Sequence, residues 1–375
     1  MKNFQLTFLL LIFIYSINCS SREKTNTEEI IDGVRHVHNL APLWGDEQKI
    51  SMEFVQKIGE LEGDDENYQL FRPEDVFVDD DGNVHILDSG NCNIKTFSRS
   101  GVFRSSFGSR GQGPGEFDLP TGITTDSDGR IYIYDLNFRG FQIFDTSGRF
   151  IRSFKNGIIT LQIKMLSCGE LVAMNSSVID PETINEKPLI AVLNQDGDIL
   201  KTFGKNRIYT DQRMTLTANM YYFALSDNDE IFITFYYQNR IEKYSKDGEL
   251  LLKIDRKLDY GENETLETVE YSGSDGRLRT RDVMNVFSTA IQVDSEDRIW
   301  VLTVEKQEIM KKSIEGSFPE ENMFMFEVFD KDGILMCNIR PEEGIIPYKF
   351  TIHNKRIFIF NSIDMCIYEY RIVES

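Results

Sequence analysis

The sequence predicts an all-β protein, a six-bladed β-propeller of four-stranded antiparallel blades closed by an N-terminal strand. Three observations predict it: a segment that repeats at an offset of 47 residues, glycine turns between short apolar runs, and an early run matching the strand the last repeat lacks. The repeat is clearest between residues 73–88 and 120–135. Pro73 aligns with Pro120, Gly82 with Gly129 and Asp88 with Asp135, and the match continues through Phe97/Phe144 and Gly101/Gly148. A period of this length built from short strands is that of a propeller blade or a similar array.

Each unit reads as strands A to D. In the first, A covers residues 75–79 and B 83–87, joined by an Asp/Gly turn; C covers 94–98 and D 102–107, joined at Gly101. Tight hairpins need positive φ, which glycine supplies without steric cost. Strand B returns at 171–174, 231–234, 299–302 and 357–360, and the C–D turns return at Gly197, Gly248 and Gly333. The sixth unit ends at 367–371 with three strands. Residues 52–58 fit as its fourth, because Phe54-Val55-Gln56-Lys57-Ile58-Gly59 matches Phe103-Arg104-Ser105-Ser106-Phe107-Gly108. Such a strand closes the ring and removes an exposed sheet edge.

Before the repeats, Lys2 precedes an apolar run over residues 4–15, too short for a comfortable membrane span and suited to a signal peptide. Ser16-Ile17-Asn18-Cys19 then resembles a bacterial lipobox, in which Cys19 is acylated and becomes the mature N-terminus. The expected organisation is a signal peptide over 1–18, a lipidated Cys19 with a flexible tether and lead-in over 19–44, and one propeller domain over 45–375. The polar stretch 20–29 suits the tether. Cys92, Cys168, Cys337 and Cys366 have no CxxC spacing; unpaired small residues are the simpler reading, and the spacing excludes a zinc site. With 41 basic and 61 acidic residues the net charge is −20, which disfavours nucleic acid, whose binding depends on Lys and Arg releasing counterions.

The lead-in Val37-His38-Asn39 with Trp44-Gly45, the blade motif, and Gly111-Gln112-Gly113-Pro114-Gly115-Glu116-Phe117 between the first two units resemble a family. The strand–turn pattern is similar to NHL-type propellers, and more closely to the six-bladed propeller lipoproteins abundant in Bacteroidota. The resemblance implies the fold and an envelope location, and no reaction.

Topology narrows the search for a site. A–B and C–D turns share one face of the disc; B–C and D–A loops share the other. Four long insertions, at 174–187, 204–220, 255–286 and 304–322, all fall on the B–C/D–A face, where a rigid scaffold can present them. The 255–286 insertion, acidic at first and then basic, reads as a lid, a short helix or a solvated loop. Candidate ligand-binding residues on that face are Arg72, Arg110, Arg139, Tyr236, Tyr237, Asn239 and Arg240, a basic and aromatic set suited to an acidic or sugar-like ligand. His85 aligns with Tyr132, Phe232, Trp300 and Phe358 and reads as packing. Asp79-Asp80-Asp81-Gly82-Asn83 reads as a hairpin turn, because a calcium loop needs a Glu where Gly90 stands. Asp88 and Asp135 read as loop-fixing acceptors. No catalytic motif stands out and no cofactor is implied. The expected function is a monomeric, envelope-anchored binding module for a protein, peptide or glycan, attached to the membrane through its lipid. The alternative is a metal-dependent hydrolase or lyase with an axial site.

Overall fold

In the computed structural model of the chain, residues 24–175, 187–272, 275–307 and 323–375 are described. The expected signal segment over 1–18, Cys19 and most of the insertions at 174–187 and 304–322 lie outside them. Six four-stranded blades follow the repeat. Blade one is Pro73–Val78, Val84–Asp88, Asn93–Phe97 and Phe103–Phe107. Blade two is Pro120–Thr125, Ile131–Asp135, Gly140–Phe144 and Phe150–Lys155. Blade three is Ile163–Met165, Leu171–Met174, Ile190–Leu193 and Ile199–Phe203. Blade four is Tyr221–Leu225, Ile231–Phe235, Ile241–Tyr244 and Leu250–Arg256. Blade five is Ser288–Val293, Ile299–Val304, Phe324–Phe329 and Leu335–Ile339. Blade six has Pro347–His353, Arg356–Asn361 and Ile367–Glu374, and its strand D is the N-terminal Ile50–Ile58, paired antiparallel from Ile50↔Glu374 to Ile58↔Ile367.

Strand B reads as an unbroken apolar run because both faces of every blade are buried. Ile131 and Ile133 pack toward blade one, whereas Tyr132 and Tyr134 pack toward blade three. Ile299 and Val301 likewise face blade four while Trp300 and Leu302 face blade six. Successive strand residues point to opposite faces, so each blade feeds two seams, and each of the six seams holds its own apolar cluster. The C–D glycines fit this packing. A Cβ on Gly148 would sit 2.6 Å from the Phe107 ring, and one on Gly248 2.7 Å from Phe203, so the turn of one blade lies directly on strand D of the blade before it.

Polar residues repeat with the same logic. Asp88 accepts from the Phe71 and Arg72 amides, Asp135 from those of Asp118 and Leu119, and Asn361 from that of Ile346. The set fixes the loop entering blades one, two and six. At the A–B turn, Asp126 accepts from the Tyr132 hydroxyl at 3.2 Å and Asp294 from the Trp300 indole at 2.8 Å. The His85 ring lies 3.0 Å from Asp79 and stacks on Phe77 with centroids 4.2 Å apart. Where strand B carries Phe232 or Phe358, with nothing to donate, the turn holds Ser226 or His353 instead of Asp. His85 is therefore a packing residue with a hydrogen-bonding edge, and Asp79 is occupied as a turn acceptor.

Two expectations need correction. Part of the 19–44 stretch is an ordered hairpin, Asn26–Ile31 with Val34–Asn39, and its second strand pairs parallel to strand D of blade four. Val37 is fully buried there, and Asn39 bonds the Gly333 carbonyl and the Leu335 amide, stapling blade four to blade five. Residues from Asn26 to Asn39 are therefore strand rather than the flexible stretch expected there. The 255–286 insertion contains a two-stranded antiparallel hairpin, Glu267–Ser272 with Leu278–Val283. Insertion 204–220 carries a helix, Gln212–Ala218, capped by the Asp211 side chain on the Arg213 amide. The four cysteines are free, with Cys92, Cys337 and Cys366 buried and Cys168 exposed.

Candidate functional site

Strand A lines the axis, and its first residues open on the loop-rich face. In blades one, two, five and six the A–B register slips by one residue there: Pro73 pairs with Asp88 and Asp75 with Leu87, and the same step occurs after Pro120, Ser288 and Pro347. The extra residue of such a bulge is left unpaired and the strand bends. The skipped residues are Glu74, Thr121, Thr289 and Tyr348. Three of them, Glu74, Thr121 and Tyr348, line a 270 Å³ axial cavity. Lys349, Leu161, Gln162, Met174 and Tyr222 complete its wall, and Leu216 and Met220 from the helical insertion roof one side.

Below the cavity the axis is closed by charge. Asp75, 2 % exposed, lies 3.9 Å from the ammonium groups of both Lys349 and Lys164. Lys164 in turn lines a second axial recess that opens on the turn face. The three residues come from strands A of blades one, three and six, so they also tie the ring across its centre.

Most polar groups in the loop-side cavity are already engaged. Gln162 bonds both the carbonyl and the amide of Phe223, and Asn219 holds Arg207 and Thr215. The Tyr348 hydroxyl donates to the Pro73 carbonyl, and Lys349 to that of Glu74. The Glu74 carboxylate pairs with Arg72 at 3.1 Å, which leaves the Tyr222 hydroxyl without a hydrogen bond to another described residue. Tyr222 is the first of a run of tyrosines, with Tyr236 at 6.4 Å and Tyr237 4.6 Å beyond it in an edge-to-face pair. Burial pushes the Tyr222 phenol up to about 12, reinforced by Tyr237 and Glu74. Burial also raises Tyr236 and Tyr237, and the Arg281 guanidinium of the insertion hairpin pulls both back. Leu266 and Met284, which flank the hairpin strands, pack in one apolar cluster with Tyr237, so the hairpin that carries Arg281 stands beside these tyrosines.

The Glu74 carboxyl is likewise pushed up, chiefly by burial, with Lys349 and Arg72 opposing and Asp75 assisting. A carboxylate whose folded pKa exceeds its unfolded value binds more protons when folded, so its contribution to stability falls as pH rises from the ordinary range near 4.5. Glu74→Gln is expected to raise the melting temperature at pH 7 and leave it unchanged at pH 3, where both proteins carry a neutral side chain. Thermal melts at the two pH values check this, and an equal shift at both would contradict it. Strained or desolvated groups of this kind concentrate where proteins act.

The residues proposed from sequence divide into two groups. Tyr236 and Tyr237 join the axial cluster. Arg72 reaches its rim through Glu74 and also donates to Ser89. Arg110 is exposed and donates to the Gly90 carbonyl, and Arg139 sits exposed in a turn at φ +57°. Asn239 clamps the Arg256 backbone and donates its own backbone amide to the Glu262 carboxylate. Arg240 lies over the Phe235 ring at 3.8 Å and pairs with Glu242 at 3.4 Å. These last four serve local structure away from the cavity. Sequence reasoning missed Glu74, Tyr222, Tyr348, Lys349 and Arg281. The prolines that open strands A, Pro73 and Pro347, could have marked the first and third, because the residue after each is the bulged one.

No curated protein matches the chain in sequence. Among solved structures, a provisionally named exported protein of Bacteroides fragilis is similar, with a TM-score of 0.58 at 12 % identity over 91 % of this chain and 99 % of that one. A DUF4221 family member from Bacteroides vulgatus has a TM-score of 0.56 at 10 % identity, over 87 % and 99 %. A gluconolactonase of Xanthomonas campestris has 0.50 at 13 %, over 86 % and 94 %. These likenesses concern the fold. The family model DUF5128, described as a 6-bladed beta-propeller, matches residues 60–332, and the chain belongs to that family.

Proposed function

We propose that the protein is an exported binding module, held at the cell envelope by a lipid on Cys19, whose loop-rich face receives a protein, peptide or glycan at the axial mouth. One observation carries the reading: the Tyr222 hydroxyl, with Glu74 and Lys349, lines an axial cavity beside the helical insertion, and Tyr236 and Tyr237 stand next to it. A preformed concave site with a few convergent polar groups is the form binding sites take. The second reading, a metal-dependent hydrolase or lyase, asks for converging metal ligands. Among the described residues no group of three or more His, Cys, Asp or Glu is placed to hold a metal ion, and the binding reading is preferred.

The anchor and the face are tested separately. Cys19→Ala is expected to move the protein from the membrane fraction to the soluble fraction, and retention in the membrane would remove the lipid from the reading. For the face, residues 268–282 can be replaced by a Gly-Ser turn, because Glu267 and Val283 are already paired across the hairpin. Cross-linked pull-down from native envelopes is expected to recover a ligand with the parent and lose it with the shortened form. Recovery of the same ligand with both would move the site off this face.

A further inference from the structure

We infer that the ligand of the axial mouth is an acidic saccharide, one bearing carboxylate, sulfate or phosphate on its sugar rings; this rests on the binding reading above. The first support is hydrogen-bond capacity. Among the described residues the hydroxyls of Tyr222, Tyr236 and Tyr237 bond no other residue, whereas the neighbouring Tyr221 and Tyr348 hydroxyls donate to the Leu189 and Pro73 carbonyls. Three free phenols that each donate and accept suit a ligand dense in hydroxyl groups. The rings themselves pack into the neighbouring seams, Tyr222 against the blade four–five cluster and Tyr236 and Tyr237 against the blade five–six cluster, so the hydroxyls are held on rigid two-torsion side chains that lose little entropy on binding.

The second support is charge. The mouth and the plug beneath it hold four cations, Arg72, Arg281, Lys349 and Lys164, against two carboxylates, Glu74 and Asp75. These groups give the axis a local surplus of positive charge within a chain of net charge −20. The recess at the opposite end is lined by Asp227 and Asp229 as well as Lys164, and the groove between blades one and two by Asp79, Asp80, Asp126 and Asp128. The balance is therefore more positive toward the loop face, which favours an anion there. Of the four cations, Arg281 makes no ion pair among the described residues and stands exposed on the hairpin, free to grip an anionic substituent. At 270 Å³ the cavity lies just under the ~300–1,000 Å³ of small-molecule sites, so it receives a single ring or a chain end.

A panel of immobilised neutral, uronate-containing, sulfated and phosphorylated oligosaccharides, together with oligo-aspartate, tests the inference with the full mature protein. Binding confined to the acidic saccharides is expected, and Arg281→Gln and Tyr222→Ala should each weaken it at least tenfold while melting like the parent. If Tyr222→Ala unfolds, Tyr222→Phe, which keeps the ring and removes the hydroxyl, is expected to lose several-fold. Equal binding of neutral saccharides would overturn the charge argument, and binding of oligo-aspartate alone would make the ligand an acidic peptide. No binding to the panel, with a hairpin-dependent ligand still recovered from envelopes, would sink the saccharide assignment and leave the binding reading standing. Failure of both experiments would sink both.

Discussion

A chain beginning at Glu60 is expected to fail to fold, whereas one beginning at Gly45 keeps a closed ring. The difference is the strand Ile50–Ile58. It supplies the outer edge of blade six along eight paired positions, and its two ends, Ile50 and Ile58, are 2 % and 1 % exposed. Ile58 belongs to the seam between blades six and one, and Ile50 to that between five and six. Burying two such side chains is worth roughly 3–6 kcal/mol together. The pairing hydrogen bonds add about 1 kcal/mol each. The sum is comparable with the ~5–15 kcal/mol by which a whole domain is stable. Loss of the strand also bares the Ile367–Glu374 edge, whose residues Tyr370 and Ile372 are buried, and an exposed apolar edge recruits other chains. Soluble yield, far-UV circular dichroism and a thermal melt of the two truncations decide the matter. A chain starting at Glu60 that stays monomeric and melts cooperatively near the parent would show that the ring does not depend on this closure.

That closure was legible in the sequence because it copies the repeat: residues 52–58 carry the pattern of strand D. The N-terminal hairpin carries no such copy. Asn-Thr-Glu-Glu-Ile-Ile over 26–31 is an exposed edge strand whose outward side chains need no alternation, and its partner Val34–Asn39 adds to a sheet more than 200 residues away in sequence. Nothing local distinguishes such a strand from a polar tether. The candidate site was half legible for a related reason. Tyr236 and Tyr237 interrupt a B–C turn conspicuously, but Glu74 and Tyr348 look like ordinary strand residues until the bulge turns them to the axis. Arg240 and Asn239 erred in the other direction. Arg240 turns onto the Phe235 ring and pairs with Glu242, and Asn239 is held by the Arg256 backbone and Glu262, engagements that no spacing rule reveals.

Glu327→Ala is expected to cost about 3–5 kcal/mol, the range for removing one partner of a buried ion pair. Arg256, at the end of strand D of blade four, and Glu327, in strand C of blade five, are 1 % and 2 % exposed with 3.3 Å between them. Glu327 also accepts from the Thr303 hydroxyl at 2.6 Å, and Arg256 donates to Ser288 at 3.2 Å. Tyr260, from the base of the long insertion, closes the same region by donating to the Val286 and Val304 carbonyls. Truncating Glu327 leaves a guanidinium inside the blade four–five seam with the Ser288 hydroxyl and no countercharge, and it strips Thr303 of its acceptor. The paired replacement Arg256→Met with Glu327→Leu removes both charges and fills the space with apolar side chains, so it is expected to recover most of the loss. Chemical denaturation of the single and double variants measures this. A double variant as unstable as Glu327→Ala would mean that the pair contributes packing shape rather than charge balance. Recovery would instead identify the desolvated guanidinium as the source of the cost. It would also imply that the seam carries this pair at the foot of the insertion for position, since an apolar seam would serve stability as well.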